Sequence, residues 1–191
     1  IKVVDKNGPL VTAPDEVTIS ADPYTCTATY EVPPPIVIFD CSSEVTWTVD
    51  YQLSFPGGQP TGVWINDNVR YVGNKVFIDD LPIDSSWIRY TVVDDCGNIT
   101  YANNEVVVKD FEPPVAVCDE FTVVTLTTGG VAQIFATTFD DGSHDNCTDI
   151  LFDARRMTAG CGASLTNWTT AVNFCCQDVG KDIMVSLRVT D

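Results

Sequence analysis

The segment TTFDDGSHDNC, from Thr137 to Cys147, gathers acidic, amide, imidazole and thiol side chains within eleven residues. It contains His144, which is the only histidine of the chain, and it ends on a cysteine. Side chains of these types could serve catalysis, bind a metal ion, or form a polar turn that bonds its own backbone. The elements that surround the segment decide which of these is reasonable.

The segment has the oxygen-ligand spacing of a calcium loop of the EF-hand type. Counted from Asp141, side-chain oxygens fall at the first, third, fifth and ninth positions, and a backbone carbonyl serves the seventh. Position six is Asn146 in place of glycine, and position twelve is Phe152, so a neighbouring aspartate has to supply the closing carboxylate. The candidate calcium ligands are Asp140, Asp141, Ser143, Asp145 and Asp149. The alternative is an Asx turn in which the same side chains accept hydrogen bonds from their own backbone.

Catalysis is not expected at this segment. His144 has no serine or cysteine nucleophile at a recognisable motif spacing, and a single loop histidine is ordinarily solvated. Carboxylate pairs of the kind that glycosidases use occur throughout this acidic chain, so none of them is diagnostic. The sequence therefore predicts a protein that is not an enzyme and has no catalytic residues.

Composition narrows the class of protein and its surroundings. The 191 residues are 45% hydrophobic, carry a formal net charge of −17 and include eight cysteines without a CxxC pair. Cysteines in this number favour disulfides in an oxidising compartment over zinc, which indicates an extracellular or cell-surface protein. The negative charge disfavours nucleic acid as a partner, and no apolar run approaches the roughly 20 residues of a membrane-spanning helix.

Alternation of apolar and polar residues dominates the chain. In the run EVTWTVDYQLSF, from 44 to 55, every second residue is apolar, and DIMVSLRVTD, from 182 to 191, repeats the pattern. This period is typical of half-buried antiparallel strands. The sequence predicts an all-β protein with seven strands in its first half and five in its second, the first of those five over 115–127.

An internal repeat divides the chain into two domains. Residues 3–18 read VVDKNGPLVTAPDEVT and residues 107–122 read VVKDFEPPVAVCDEFT, which align at a constant offset of 104. A spacing near 100 residues fits one immunoglobulin-like sandwich. We therefore expect two tandem immunoglobulin-like domains, 7–110 and 111–191, joined by the short, proline-stiffened linker KDFEPP.

The ends of the two domains differ. The first closes with a turn and a last strand, whereas the second is expected to lack its own last strand, because SLRVTD corresponds to RYTVVD of the first. Residues 1–6 resemble the end of such a last strand and are assigned to a preceding or neighbouring domain. Two explanations fit: the chain is a window of a longer tandem array, or residues 1–6 complete the sheet of another copy by strand addition.

Several segments together resemble a known family of tandem repeats. They are PPVAVCDEFTV, TFDDGSHDNC, FCCQDVG, LRVTD, CTATYEVPPP, FDCSSEVTW and YTVVDDCGN. The chain is similar to immunoglobulin-like, HYR-related repeats of giant secreted surface proteins of Bacteroidetes, among them gliding-motility adhesins and related extracellular filament proteins. The resemblance implies disulfide-stapled β-sandwiches, type IX secretion, a place at the cell surface, and a role in adhesion or filament architecture.

The resemblance also guides the expected disulfides. The preferred bridge of the first domain is Cys41–Cys96. In the second, Cys147 and Cys161 are expected to pair with the adjacent cysteines 175 and 176, which point to opposite faces of a strand. The preferred bridges are Cys147–Cys176 and Cys161–Cys175, with the converse pairing left open. Cys26 and Cys118 remain as odd cysteines, and the family pattern pairs Cys118 with a cysteine of the missing strand.

A second, weaker calcium prediction concerns the domain junctions. The junctions carry Asp5, Asn7, Asp110 and Glu112, which together with loop residues such as Asp94 or Asp95 could bind calcium and stiffen a rod. The alternative is a solvated acidic linker.

The predicted function is a structural and adhesive repeat module that forms a semi-rigid rod, with other copies or neighbouring repeats as head-to-tail partners. A surface glycan or another ligand on a host or prey cell is a further candidate partner. The alternative function is a carbohydrate- or ligand-binding module of a secreted protein. That alternative requires exposed aromatic rings in one plane, for which Trp64, Trp87 and Trp168 are the candidates.

Overall fold

A computed structural model describes residues 1–41, 44–55 and 57–191 of the chain. These residues form an all-β structure whose only helical elements are two short 3-10 turns, Ala136–Phe139 and Cys176–Asp178. No helix in the described part of the chain has the length and apolar character needed to cross a membrane. The chain divides into two compact units, Ile1–Phe111 and Glu112–Asp191.

The described residues of the first unit form nine strands. They are β1 (Leu10–Thr12), β2 (Val17–Ser20), β3 (Thr27–Val32), β4 (Ile36–Phe39), β5 (Val45–Leu53), β6 (Val69–Val72), β7 (Lys75–Pro82), β8 (Asp84–Asp94) and β9 (Ile99–Lys109). One sheet has the order β2-β9-β8-β5, a second has the order β3-β7-β6, and β1 pairs with β4. All these pairs are antiparallel except β2 with β9, which is parallel.

The apolar residues of the alternating sequence lie on the inner faces of these sheets, and the polar residues lie on the outer faces. On β5 and β8 the residues Val49, Tyr51, Ile88 and Tyr90 are at most 5% exposed, while the residues between them point to the outer face. Burial of large apolar side chains contributes about 1.5–3 kcal/mol each, which makes this face the main source of stability. The core of the first unit also includes Ala28, Val32, Val76, Ile78, Leu81, Val92, Val106 and Val108.

The second unit has four strands in two pairs. The strands are β10 (Val131–Phe135), β11 (Leu151–Arg156), β12 (Ala171–Cys175) and β13 (Val185–Thr190). β10 pairs with β12 and β11 pairs with β13, both antiparallel. The core between them consists of Ala136, Phe139, Ala154, Val172 and Phe174, with partly buried side chains such as Leu126 and Leu187 packed against it.

The strand predicted over 115–127 is not formed. Only isolated bridges occur there, Val115 with His144 and Cys118 with Asp140. Val124 and Leu126 still pack against the core, so the alternating pattern reflects burial alone. In the first unit the equivalent strand β2 pairs with β9, whereas no described strand pairs with 119–126.

The edge of β13 is open in the described structure. β8 of the first unit has β5 on one side and β9 on the other, whereas β13 pairs with β11 alone among the described strands. An unpaired edge presents a row of backbone N–H and C=O groups to the surroundings. β13 is therefore able to accept a further strand.

Candidate functional site

The segment 137–147 is a chain of turns that hold one another by hydrogen bonds. Asp140 accepts a bond of 2.8 Å from the backbone N–H of Ser143 through Oδ1. The Ser143 hydroxyl donates to the carbonyl of Val117 at 3.1 Å and accepts from its N–H at 2.9 Å. Hydrogen bonds from Ser143 lower the pKa of Asp140 against the opposing effect of burial. Through Ser143, the turn that begins at Asp140 is thereby linked to the backbone of Val117.

Asp145 forms the Asx turn that the sequence offered as the alternative to calcium. Its Oδ2 accepts from the N–H of Cys147 at 2.9 Å, from the N–H of Thr148 at 2.8 Å and from the Thr148 hydroxyl at 3.2 Å. The backbone bonds from Cys147 and Thr148 lower the pKa of Asp145. His144 is exposed and its Nδ1 donates to the carbonyl of Gly142 at 3.1 Å.

The predicted ligands of this calcium loop are only partly brought together. Asp141 and Asp149 are exposed, while Asp140 and Asp145 are engaged in the turn. Within the described ranges, no three of these four carboxylates lie within 4.8 Å of one another. Calcium at this loop stays a prediction, and hydrogen bonds account for the positions of Asp140 and Asp145 without it.

A tighter group of carboxylates occurs in the first unit. Ligand oxygens of Asp5, Asp40 and Asp94 all lie within 4.8 Å of one another. Asp5 and Asp94 belong to the predicted junction group, whereas Asp40, at the end of β4, was not foreseen because the fold alone brings it there. Asp110 and Glu112 lie beside the boundary of the two units, and calcium binding by these two residues stays a prediction.

The turn before β9 fixes the position of Asp94. This carboxylate is 6% exposed and accepts from the N–H of Cys96 at 2.9 Å and from Asn98 through its backbone N–H at 2.8 Å and its side-chain amide at 2.7 Å. Burial acts to raise the pKa of Asp94, but these hydrogen bonds outweigh it, so the pKa is lowered. These hydrogen bonds hold the Asp94 carboxylate in place beside Asp5 and Asp40.

Close packing fixes the position of Asp5. Pro9 is fully buried, and a Cβ added to Gly8 would lie 2.5 Å from the Thr100 hydroxyl and 3.0 Å from the carbonyl of Ile99. Only glycine permits this approach of the 5–9 segment to the first residues of β9. Asp5 accepts from the N–H of Asn7 at 2.9 Å, which orients its carboxylate.

An experiment can distinguish calcium binding at the group of Asp5, Asp40 and Asp94 from calcium binding at the loop 140–149. If the Asp5 group binds calcium, a millimolar excess of the ion raises the melting midpoint and chelator reverses the rise, since an ion that binds only the folded state stabilises it. Asp40→Asn should abolish that rise, and Asp141→Asn should leave it unchanged. The measurement is differential scanning calorimetry, and identical midpoints with calcium and with chelator would remove both calcium predictions.

One disulfide, Cys161–Cys175, joins described residues, as the sequence predicted. The predicted bridges Cys41–Cys96 and Cys147–Cys176 are not formed in the structure. Cys176 instead points at Gly130, where an added Cβ would lie 2.5 Å from its sulfur, while Cys147 sits in the Asx turn of Asp145. Cys118, one of the two odd cysteines, is exposed and forms no disulfide with a described residue.

Both units carry an aspartate, an arginine and a tryptophan in the same relation on the outer face of a sheet. In the first unit Asp50 of β5 lies opposite Arg89 of β8 and forms a two-bond ion pair with it. The Arg89 guanidinium lies 4.2 Å from the centre of the Trp64 ring. Two backbone bonds of 2.9 and 2.7 Å join Tyr51 to Ile65, the residues that follow Asp50 and Trp64.

The second unit repeats this arrangement. Asp153 of β11 lies opposite Arg188 of β13 and accepts a bond of 2.6 Å from it. The Arg188 guanidinium lies 4.8 Å from the centre of the Trp168 ring. Backbone bonds of 2.8 and 3.1 Å join Ala154 to Thr169, the residues that follow Asp153 and Trp168.

The two tryptophans also obey the repeat of the sequence. Trp64 and Trp168 are separated by 168 − 64 = 104 residues, which is the offset that aligns the beginnings of the two domains. The match is not apparent from the alignment of residues 3–18 with 107–122, because the segments between, 19–63 and 123–167, differ in composition. We name the trio the Asp–Arg–Trp cluster; it is a shared structural element of the two units.

Neither the scan against protein-family models nor the search of the curated proteins gives a match. The three tryptophans that were candidates for the alternative, ligand-binding function are all half-buried, and arginine guanidinium groups lie over the rings of Trp64 and Trp168. The covered faces of these two rings are not open to a sugar.

The Asp–Arg–Trp cluster is expected to show measurable energetic coupling. A double-mutant cycle with Trp64→Ala and Arg89→Ala, measured in the free energy of unfolding, should give a coupling energy of about 1 kcal/mol. The guanidinium is partly shielded from solvent and is held by Asp50, which strengthens its interaction with the ring. Urea unfolding of the four proteins measures it. The pair Arg70 and Phe77, with 4.7 Å between guanidinium and ring and a more exposed arginine, is the control and should couple more weakly. Coupling no stronger than in that pair would show that the cluster is not a structural lock.

Proposed function

We propose that this chain is a structural and adhesive repeat module of a large extracellular filament or surface adhesin. Two compact all-β units, a shared Asp–Arg–Trp cluster and a disulfide support a stiff, repeated, secreted building block. Type IX export and a Bacteroidetes cell surface remain what the resemblance implies.

The observation that carries the proposal is the open edge of β13. A sheet edge that accepts a strand from another chain is a known mode of assembly, since backbone hydrogen bonds supply affinity without a special side-chain pocket. The partners are other copies of the chain or neighbouring repeats, joined head to tail. The product of repeated strand addition is a rod.

Residues 1–6 are the segment proposed to fill that edge. By the repeat offset they match residues 105–110, the end of β9, which in the first unit lies between β2 and β8. They form no strand in the structure, and Ile1, Val3 and Val4 are at least 58% exposed. An exposed segment with apolar side chains and an open sheet edge are complementary, and pairing them removes both from solvent.

The register of this pairing is testable. The offset places Val4 at the position of the fully buried Val108, with Val3 on the outer face at the position of Val107. A slip of one residue exchanges the two faces. Val4→Asp should therefore weaken assembly more strongly than Val3→Asp.

Light scattering after size-exclusion chromatography, across a concentration series of the full chain, tests the proposal. We expect a mass that rises with concentration, and a return to the monomer in the double variant Ile1→Asp, Val4→Asp. Val63→Asp, an exposed valine outside both surfaces, is the matched control. A monomer at every concentration, or oligomers that persist in the double variant, would refute head-to-tail strand addition.

A further inference from the structure

A cleft of about 290 Å³ lies beside the Asp–Arg–Trp cluster of the first unit. Thr48 and Asp50 of β5 and Thr91 of β8 line it from the outer face of the sheet. Asn66 and Tyr71 line it from the segment that leads into β6 and from β6 itself. The volume is at the lower end of the range for small-molecule sites, so it admits about one six-membered ring with its substituents.

The lining is rich in groups that both donate and accept hydrogen bonds. The two threonine hydroxyls and the Asn66 amide do both, and the Asp50 carboxylate accepts. The Tyr71 hydroxyl accepts from the backbone N–H of Val49 at 3.4 Å, which leaves its own proton to donate. The Tyr71 residue is 53% exposed, so part of its ring is open to a ligand.

The charges of the cleft select a neutral ligand. Asp50 is the only ionisable acid among the lining residues besides Tyr71, and Arg89 neutralises it through two hydrogen bonds. A metal ion would find one carboxylate that is already engaged, and an anion would meet a protein of net charge −17. An apolar ligand would leave the hydroxyl and amide groups desolvated without partners.

We propose that this cleft binds a neutral saccharide ring. The half-exposed Tyr71 ring lies against the apolar face of the sugar, and Thr48, Thr91 and Asn66 bond its hydroxyl groups. Such a ring combines one apolar face with several hydroxyls, and the cleft combines one aromatic wall with several small polar groups. This site supplies ligand chemistry for the adhesive part of the proposed function and in that respect rests on it.

The cleft is held in shape before a ligand arrives. Arg89 fixes Asp50, and Trp64 together with Tyr101, at 5.4 Å from the guanidinium, fixes Arg89. Thr48 and Thr91 lie directly opposite each other on β5 and β8 and are held by the ladder. A site on rigid elements loses little entropy when it binds, which favours recognition of a small ligand.

Saturation-transfer NMR with the intact chain and millimolar D-glucose, D-galactose, D-mannose and N-acetyl-D-glucosamine tests this inference. We expect transfer to at least one sugar and about a tenfold loss of affinity in the double variant Thr48→Val, Thr91→Val, which removes two hydroxyls and keeps the β-branched shape. Thr46→Val, on the same face of β5 but outside the cleft, is the matched control and should bind as the parent does. Tyr71→Ala should also lose binding.

Co-sedimentation of the protein with cellulose and with chitin tests whether the bound sugar ring belongs to a surface polysaccharide or to a free sugar. No transfer to any of the four sugars, or equal affinity in the parent and the double threonine variant, would overturn the saccharide site. Light scattering of the threonine variant distinguishes this failure from failure of the proposed function. The cleft residues lie outside both β13 and residues 1–6, so assembly should be unchanged in that variant.

Discussion

Replacing Arg156 with alanine is expected to lower the free energy of unfolding of the second unit by about 3–5 kcal/mol, since the change leaves a buried carboxylate without its partner. The Arg156 side chain is 0% exposed and that of Asp178 is 10% exposed. Hydrogen–deuterium exchange followed by mass spectrometry measures the effect, because peptides from 112–191 report on this unit separately from those of 1–111.

The geometry explains why so much depends on one side chain. The two terminal nitrogens of Arg156 each donate to Asp178 at 2.7 Å. The same guanidinium donates to the carbonyls of Asn173 at 3.0 Å and Thr158 at 3.3 Å, and it lies 5.3 Å from the Phe174 ring centre. Arg156 therefore joins β11, β12 and the segment after β11 through one planar group.

The same pair predicts an acid-sensitive second unit. The Arg156 guanidinium, opposed by burial and assisted by the N–H of Cys175, holds the pKa of Asp178 at about 2, below its ordinary 3.8. A lowered pKa in the folded state stabilises the fold above the unfolded value and loses that contribution as the pH falls from about 4 to about 2, by roughly 2 kcal/mol. Asp178→Asn should flatten this part of the pH profile.

Lys75→Ala is the control for the loss of a salt bridge. Lys75 pairs with Glu31 at 2.8 Å, but the two side chains are 60% and 50% exposed, and exposed pairs contribute little. Its stability should stay near that of the parent chain. An Arg156→Ala variant as stable as Lys75→Ala would show that the buried pair does not hold the second unit together.

The features that follow from local alternation could be predicted from the sequence. β5 and β13 are such cases, because every second residue of their runs is apolar and buried or half-buried. Local patterns failed where a strand depends on its partner. The run 115–127 alternates between apolar and polar residues without forming a ladder. Conversely, β1 pairs with β4 although neither segment has a sequence pattern that predicts the pair.

The candidate sites show the same division. The Asx turn of Asp145 is local, and its spacing was readable as one of two alternatives. Asp40 joins Asp5 and Asp94, and Arg89 meets Trp64, across separations that only the completed sheet brings together. For Arg156 one signal did exist, since it follows Phe152 and Ala154 at the inward period of β11, where an arginine needs a buried partner.

Removing the Cys161–Cys175 disulfide is expected to destabilise the second unit by about 3 kcal/mol. The bridge spans 14 residues, and closing a loop of that length restricts the unfolded chain by an amount of this order. Cys161 also has a φ of 53°, a left-handed conformation that non-glycine residues adopt at a cost. Cys161→Gly should therefore be tolerated better than Cys161→Ala, although both lose the bridge.

The disulfide and the ion pair should prove to be one energetic unit. Asp178 accepts from the N–H of Cys175 at 3.1 Å, and the Cys161 sulfur, which carries no proton in the disulfide, lies 2.9 Å from the same carboxylate. Cys175→Ala and Arg156→Ala both loosen the surroundings of Asp178, so the double variant should lose less than the sum of the single losses. Additive losses would mean that the two elements stabilise the second unit independently.

Cys96→Ala is the control for the loss of a cysteine. Since Cys41 and Cys96 are not joined in the structure, this variant should leave the free energy of unfolding unchanged. A loss comparable with that of Cys175→Ala would instead show that the predicted Cys41–Cys96 bridge forms in the oxidised protein.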